Sequence, residues 1–114
     1  MSDCLFCKII AGQIPAAVTY RDEHVLAFKD IQPRAPMHEL VIPLRHIATV
    51  AEATPADAEL LGRMMLVAAK RAGELGYGAG GYRLVMNHGK DAGQTVFHAH
   101  LHILAGRPLD WPPG

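Results

Sequence analysis

The sequence predicts an α+β fold: an antiparallel five-stranded sheet with one long helix and a short N-terminal helix. Three observations carry that expectation. Five stretches have strand length and composition, at Val18–Arg21, Val25–Asp30, Glu39–Leu44, Tyr82–Asn87 and Phe97–Leu104. Most follow one another through short turns, which suits antiparallel pairing. Only one long stretch, 55–75, repeats its apolar residues at helical spacing. At 114 residues the chain can bury one core, so 1–114 reads as a single domain.

The first element is a short helix over Leu5–Ala11, ended by Gly12 and by Pro15 beyond it. The first three strands follow, each bounded by turn formers or charge. Thr54-Pro55-Ala56-Asp57 then opens the long helix: Thr54 can cap, Pro55 suits the first helical position, and Asp57 completes a box near the positive dipole end. Leu61, Met64, Met65, Ala68, Ala72 and Leu75 mark the expected core stripe, and Gly76 terminates it. Leu60, Leu66 and Val67 widen the apolar arc, which suits deep burial or cover by a second subunit. Tyr82–Asn87 gives the fourth strand, and the turn-rich 87–95 delivers the chain to the fifth.

Composition narrows the function. Eleven Lys plus Arg balance eleven Asp plus Glu, so no global field recruits nucleic acid or a membrane surface. No apolar run approaches the ~20 residues of a membrane span. Lys8 and Gly12 break the N-terminal apolar stretch, so no secretory leader is expected, and a cytoplasmic location is. The two cysteines stand as Cys4-Leu5-Phe6-Cys7, a spacing that in such a setting more often means metal or redox chemistry than a disulfide framework.

The most informative run is His98-Ala99-His100-Leu101-His102. On a strand the three imidazoles share one face, with Phe97, Ala99, Leu101 and Ile103 on the other. The outer two then stand roughly 13 Å apart, too far for one zinc ion that holds nitrogen at about 2.0–2.1 Å. Such a row suits proton donors, acceptors and a nucleophile.

Gln94-Thr95-Val96-Phe97-His98-Ala99-His100-Leu101-His102-Ile103-Leu104 resembles the signature of the histidine triad superfamily, His-φ-His-φ-His-φ-φ with φ hydrophobic. The ending Gly106-Arg107-Pro108-Leu109-Asp110-Trp111-Pro112-Pro113-Gly114 resembles the tail of its Hint branch, and so do residues 28–36, Val41-Ile42-Pro43 and His46-Ile47. The likeness runs through essentially the whole chain.

The resemblance implies hydrolysis of purine nucleoside 5′-phosphoramidates, such as adenosine 5′-phosphoramidate, by a homodimer whose sheets join into one. His100 would be the nucleophile forming a nucleotidyl intermediate, His102 a phosphate partner, and Thr95 a hydroxyl near the leaving group. Imidazole, with an ordinary pKa of about 6.5, is mostly neutral at pH 7 and so available as a nucleophile. Asn87, Gly93, Thr95 and Val96 would bind phosphate, Asp30 the ribose hydroxyls, and Phe6, Ile9, Phe28, Ile31 and Leu40 the purine. Cys4, Cys7, His46 and His98 would hold a structural Zn2+, a chemically suitable tetrahedral set. His88 and Asp110 depart from the residues common at their positions in the branch. Two other readings share the pocket: a dinucleoside polyphosphate hydrolase, and a purine-nucleotide-binding adaptor with incidental turnover.

Overall fold

The computed structural model describes residues 3–114. Helix α1 spans Leu5–Ile10, strands β1 to β3 span Val18–Arg21, Val25–Lys29 and Met37–Pro43, and helix α2 spans Ala58–Glu74. Strands β4, Tyr82–Met86, and β5, Leu101–Ala105, complete an antiparallel sheet of order β1-β2-β3-β5-β4. The expected α+β architecture is the observed one. No helix among the described residues is long and apolar enough to cross a membrane.

Strand periodicity divides the core between two layers. Val25, Ala27, Met37, Val41, Leu101, Ile103 and Ala105 face α2 and meet Met64, Val67, Ala68 and Ala72. The alternate residues Leu26, Phe28, Leu40 and Ile42 face the other way and bury Phe6 of α1. His38 stands two residues before Leu40, and His102 pairs with Leu40, so both share the face of that second set.

The expected helix start is confirmed with one adjustment: Pro55–Asp57 forms a 3-10 turn before α2 begins. The Asp57 carboxylate accepts from the Thr54 amide at 2.9 Å and also pairs with Arg45. Three assignments on α2 and its C-cap are corrected. Met65 and Leu75, expected in the core stripe, are exposed, whereas Val67, expected outside it, is buried. The face that meets the sheet is centred on Met64, Ala68 and Ala72, and the small alanines permit close approach there.

The histidine strand is also corrected. Regular pairing starts at Leu101 instead of Phe97, and Phe97 is half exposed instead of buried. The cause lies in the neighbouring strand. Val41 pairs with Leu101, so continuation would set Ala99 opposite Pro43, which has no amide proton to offer. Ala99 instead donates its amide to the Ile47 carbonyl at 2.6 Å. His98 and His100 therefore precede β5, and only His102 lies on it. The other strand ends move by one or two residues, leaving Asp30 just beyond β2 and Asn87 just beyond β4.

Candidate active site and metal centre

His100 lies where α1 meets the start of β5. It is buried, and its Nδ1–H donates to the His98 carbonyl at 2.8 Å. A neutral imidazole protonated on Nδ1 carries its lone pair on Nε2, so His100 presents an oriented nucleophilic nitrogen. The rings of Phe6 and His102 flank it, with centroids 5.2 Å and 5.0 Å away.

His102 is joined to a residue that the sequence pattern did not single out. His38 Nε2 stands 2.9 Å from His102 Nδ1 and 3.4 Å from an Asp30 carboxylate oxygen. The other Asp30 oxygen accepts from the Gln32 amide at 2.8 Å, which fixes the carboxylate at the end of β2. Burial lowers the His38 pKa against the opposing pull of Asp30. Burial, then the charges of His100 and His38, pushes His102 down to about 4. Two neutral imidazoles and a carboxylate thus stand beside His100.

The connector 87–96 is braced by Gln94, which is buried. Its side-chain oxygen accepts from the Gly89 amide at 2.9 Å, and its nitrogen donates to the Ala48 and Val96 carbonyls at 2.9 and 3.0 Å. Gly93 adopts a left-handed conformation, φ 83°, that favours glycine. Thr95 is exposed at the surface of this braced loop, and Asn87 is half-buried at its start. Of the apolar set, Phe6, Phe28 and Leu40 are buried together, with Ile9 and Val96 packed against them. Ile31 stands apart, 94% exposed. His88 and Asp110 are exposed.

Cys4, Cys7, His46 and His98 form a second cluster on the flank of α1. His98 Nδ1 lies 3.3 Å from the Cys4 sulfur, 3.6 Å from the Cys7 sulfur and 3.2 Å from His46 Nδ1. Tetrahedral bonds to zinc of about 2.0–2.3 Å put neighbouring donors about 3.3–3.8 Å apart, so the spacing fits. The tautomer fits too: His98 Nε2–H donates to the Pro43 carbonyl at 2.8 Å, which leaves the Nδ1 lone pair facing the sulfurs. Burial, then the neighbouring Cys4, raises the Cys7 thiol. Cys4 also caps α1, accepting from the Cys7 amide at 3.3 Å. These four residues can hold a metal ion.

A second group, Asp30, His38 and His102, has comparable spacing but the wrong proton. The Arg34 amide donates to His38 Nδ1 at 3.0 Å, so the neutral ring is protonated on Nε2, the nitrogen that would have to bind the ion. That group is therefore built for proton donation.

A triad of alternate histidines leading into the central β5 strand of one antiparallel sheet, with its middle imidazole oriented by a backbone carbonyl, defines a class of small α+β histidine proteins. The chain belongs to the HIT family, whose HIT domain matches residues 11–109. It is 53% identical over 112 residues to an uncharacterized HIT-like protein of Synechocystis, covering 98% of this chain and 97% of that one. The crystal structure of a HIT family hydrolase from Legionella pneumophila is similar, with TM-score 0.96, 50% identity, and 98% and 100% of the two chains covered. A HIT family hydrolase from Clostridium thermocellum gives TM-score 0.93, 46% identity and 96% coverage of each chain.

Proposed function

We propose that this chain is a Hint-type nucleoside phosphoramidate hydrolase acting on purine, AMP-type substrates. The observation that carries the proposal is the His100 Nδ1–H bond to the His98 carbonyl, which leaves Nε2 as a lone-pair nucleophile. His100 Nε2 attacks the α-phosphorus, forming a phosphorus–nitrogen bond to the enzyme as the bond to the departing amine breaks. The amine takes up a proton as it leaves, from the Thr95 hydroxyl or the His102 Nε2–H. Water then attacks phosphorus, displaces His100 and releases the nucleoside monophosphate, returning a proton to the donor. Asn87, Gly93 and the Thr95–Val96 backbone supply neutral phosphate contacts, Asp30 accepts from the ribose hydroxyls, and the apolar set receives the purine.

Cys4, Cys7, His46 and His98 hold Zn2+, which anchors α1 to the sheet and takes no part in bond breaking. The chain acts as a homodimer. Strand β4 lies at the sheet edge, and Met65 and Leu66 are exposed on α2, so an isologous contact can cover both. Arg83 of β4 donates to the Leu109 and Asp110 carbonyls at 3.3 and 2.9 Å, holding the tail so that Trp111, 82% exposed, reaches a neighbour. Light scattering should report a dimer at micromolar concentration.

The test is kcat/KM for adenosine 5′-phosphoramidate against a dinucleoside polyphosphate, with nucleotide affinity measured alongside. Preference for the phosphoramidate supports the reading. The opposite preference favours the polyphosphate alternative, and binding without turnover of either favours the adaptor.

A further inference from the structure

We infer that Phe6 is a positioning residue that couples occupancy of the sulfur/nitrogen centre to the ring of His100; the inference rests on the proposed role of His100 as nucleophile. Phe6 stands between Cys4 and Cys7 in the first turn of α1 and is buried. Its ring meets His100 edge-on, at 5.2 Å and 87°, and meets His98 at 5.9 Å and 67°. Phe28 closes its remaining side at 5.4 Å. One aromatic ring therefore touches both a ligand of the metal centre and the nucleophile.

The turn that aims this ring has little strength of its own. Helix α1 has six residues, and a helix so short is not stable alone. Its fixed points are the Cys4 cap on the Cys7 amide, the sulfur contacts with His46 and His98, and the burial of Phe6 itself. An ion bound by Cys4, Cys7, His46 and His98 would hold the turn at each side of Phe6 and so set where its ring lies.

His100 is sensitive to that placement. Its one ring hydrogen bond, from Nδ1 to the His98 carbonyl, leaves the imidazole free to tilt about the bond. Contact with the rings of Phe6 and His102 limits that freedom, and a nucleophile must be held close to its line of attack. A second link runs in parallel: the residue whose ring would bind the ion, His98, is the residue whose carbonyl holds His100. The centre thus acts on the orientation of the nucleophile as well as on the anchoring of α1.

The experiment is nitrogen NMR of the histidine rings in the full chain, zinc-loaded and after chelation, for wild type and Phe6→Leu. Zinc removal should shift the His100 ring signals and speed exchange of its Nδ1 proton, besides the direct changes at His46 and His98. Zinc-loaded Phe6→Leu should keep the metal-bound signatures of His46 and His98 while its His100 signals move toward those of the metal-free wild type. Unchanged wild-type His100 signals on zinc removal would overturn the inference, as would a Phe6→Leu spectrum matching wild type at His100, or failure to bind zinc. If Phe6→Leu does not fold, Phe6→Met takes its place in the same comparison, because zinc removal from wild type could also reach His100 through the His98 carbonyl. The rings are observed without substrate, so failure here is separate from failure to form a nucleotidyl intermediate.

Discussion

His38 donates its Nε2–H to Nδ1 of His102 across 2.9 Å, and the direction of that bond is set by the backbone amide of Arg34. Because Arg34 donates to His38 Nδ1, the His38 proton sits on Nε2; His102 must then accept on Nδ1 and carry its own proton on Nε2. His102 is thereby held as a neutral donor beside His100, whose own tautomer is the reverse. One backbone amide and one backbone carbonyl give two adjacent imidazoles opposite roles.

Acid should weaken the fold through this pair. Burial, followed by the charges of His100 and His38, pushes His102 down to about 4, and burial lowers His38 in the same direction. Between about pH 6.5, where an unfolded histidine titrates, and about pH 4, the unfolded chain binds protons that the folded chain refuses. Stability therefore falls as pH falls across that window. Thermal melts of wild type should show this decline, and His102→Gln should flatten it. An unchanged slope in the variant would contradict the assignment.

Asp30 should matter for ribose and little for the rest of the nucleotide. Its Oδ1 is engaged by the Gln32 amide and its Oδ2 faces His38 at 3.4 Å, so the carboxylate is held in place at the sheet end. A hydrogen bond to a charged group is worth about 1.5–3 kcal/mol, so loss of even one in Asp30→Ala should weaken ribonucleotides by at least about tenfold to a hundredfold. Binding of 2′,3′-dideoxynucleotides should change much less. Equal losses for both would remove Asp30 from the ribose site.

On the α2 side of the sheet, Glu39 and Arg71 form a buried clamp. Arg71 Nε and Nη2 donate to the two Glu39 oxygens at 3.0 and 2.8 Å, and Thr19 donates to the same carboxylate at 2.8 Å. Burial raises the Glu39 pKa, but the Arg71 and Thr19 bonds prevail and hold it below the usual carboxylate range. The clamp is therefore present above about pH 4.5 and is lost as pH falls through the lower folded value. Arg71→Ala, which strands a buried carboxylate, should destabilise by about 3–5 kcal/mol in denaturant melts. The double change Glu39→Leu with Arg71→Met should lie much closer to wild type. A double variant as unstable as Arg71→Ala would contradict this account.

Metal content tests the four-ligand centre. Protein purified without chelator should contain about one zinc per chain in four-coordinate sulfur/nitrogen ligation. Cys4→Ser should lose the metal and lower the melting temperature, because ion binding is coupled to ordering of α1. Metal-free protein with wild-type stability would return these residues to ordinary buried cysteines and histidines.

Much of this was legible in the residue pattern, and the misses have physical causes. The strands follow from short apolar runs bounded by turn formers, since β2 and β3 are buried on both faces, and α2 follows from helical spacing, since only one of its faces is buried. Alternation over 97–104 suggested a longer strand, since Ala99 and Leu101 do point inward; what ends the ladder is Pro43 on a different strand, which no local pattern can report. The same limit hid His38 and Glu39. Each looks like an isolated polar residue in an apolar strand until Leu40 is set opposite His102, which puts His38 on the histidine face and Glu39 on the α2 face. A polar residue at each of two successive strand positions was the available signal.

The central claim is that His100 becomes nucleotidylated. Rapid quenching after mixing with adenosine 5′-phosphoramidate, followed by mass spectrometry of the digested protein, tests it most directly. The account predicts an adenylyl group on the peptide carrying His100, localised to that residue, and its absence in His100→Ala together with loss of turnover but nucleotide affinity within about tenfold of wild type. Wild-type turnover with no adenylylated His100 under conditions that trap the intermediate, or more than a few per cent of wild-type kcat in His100→Ala, would contradict it.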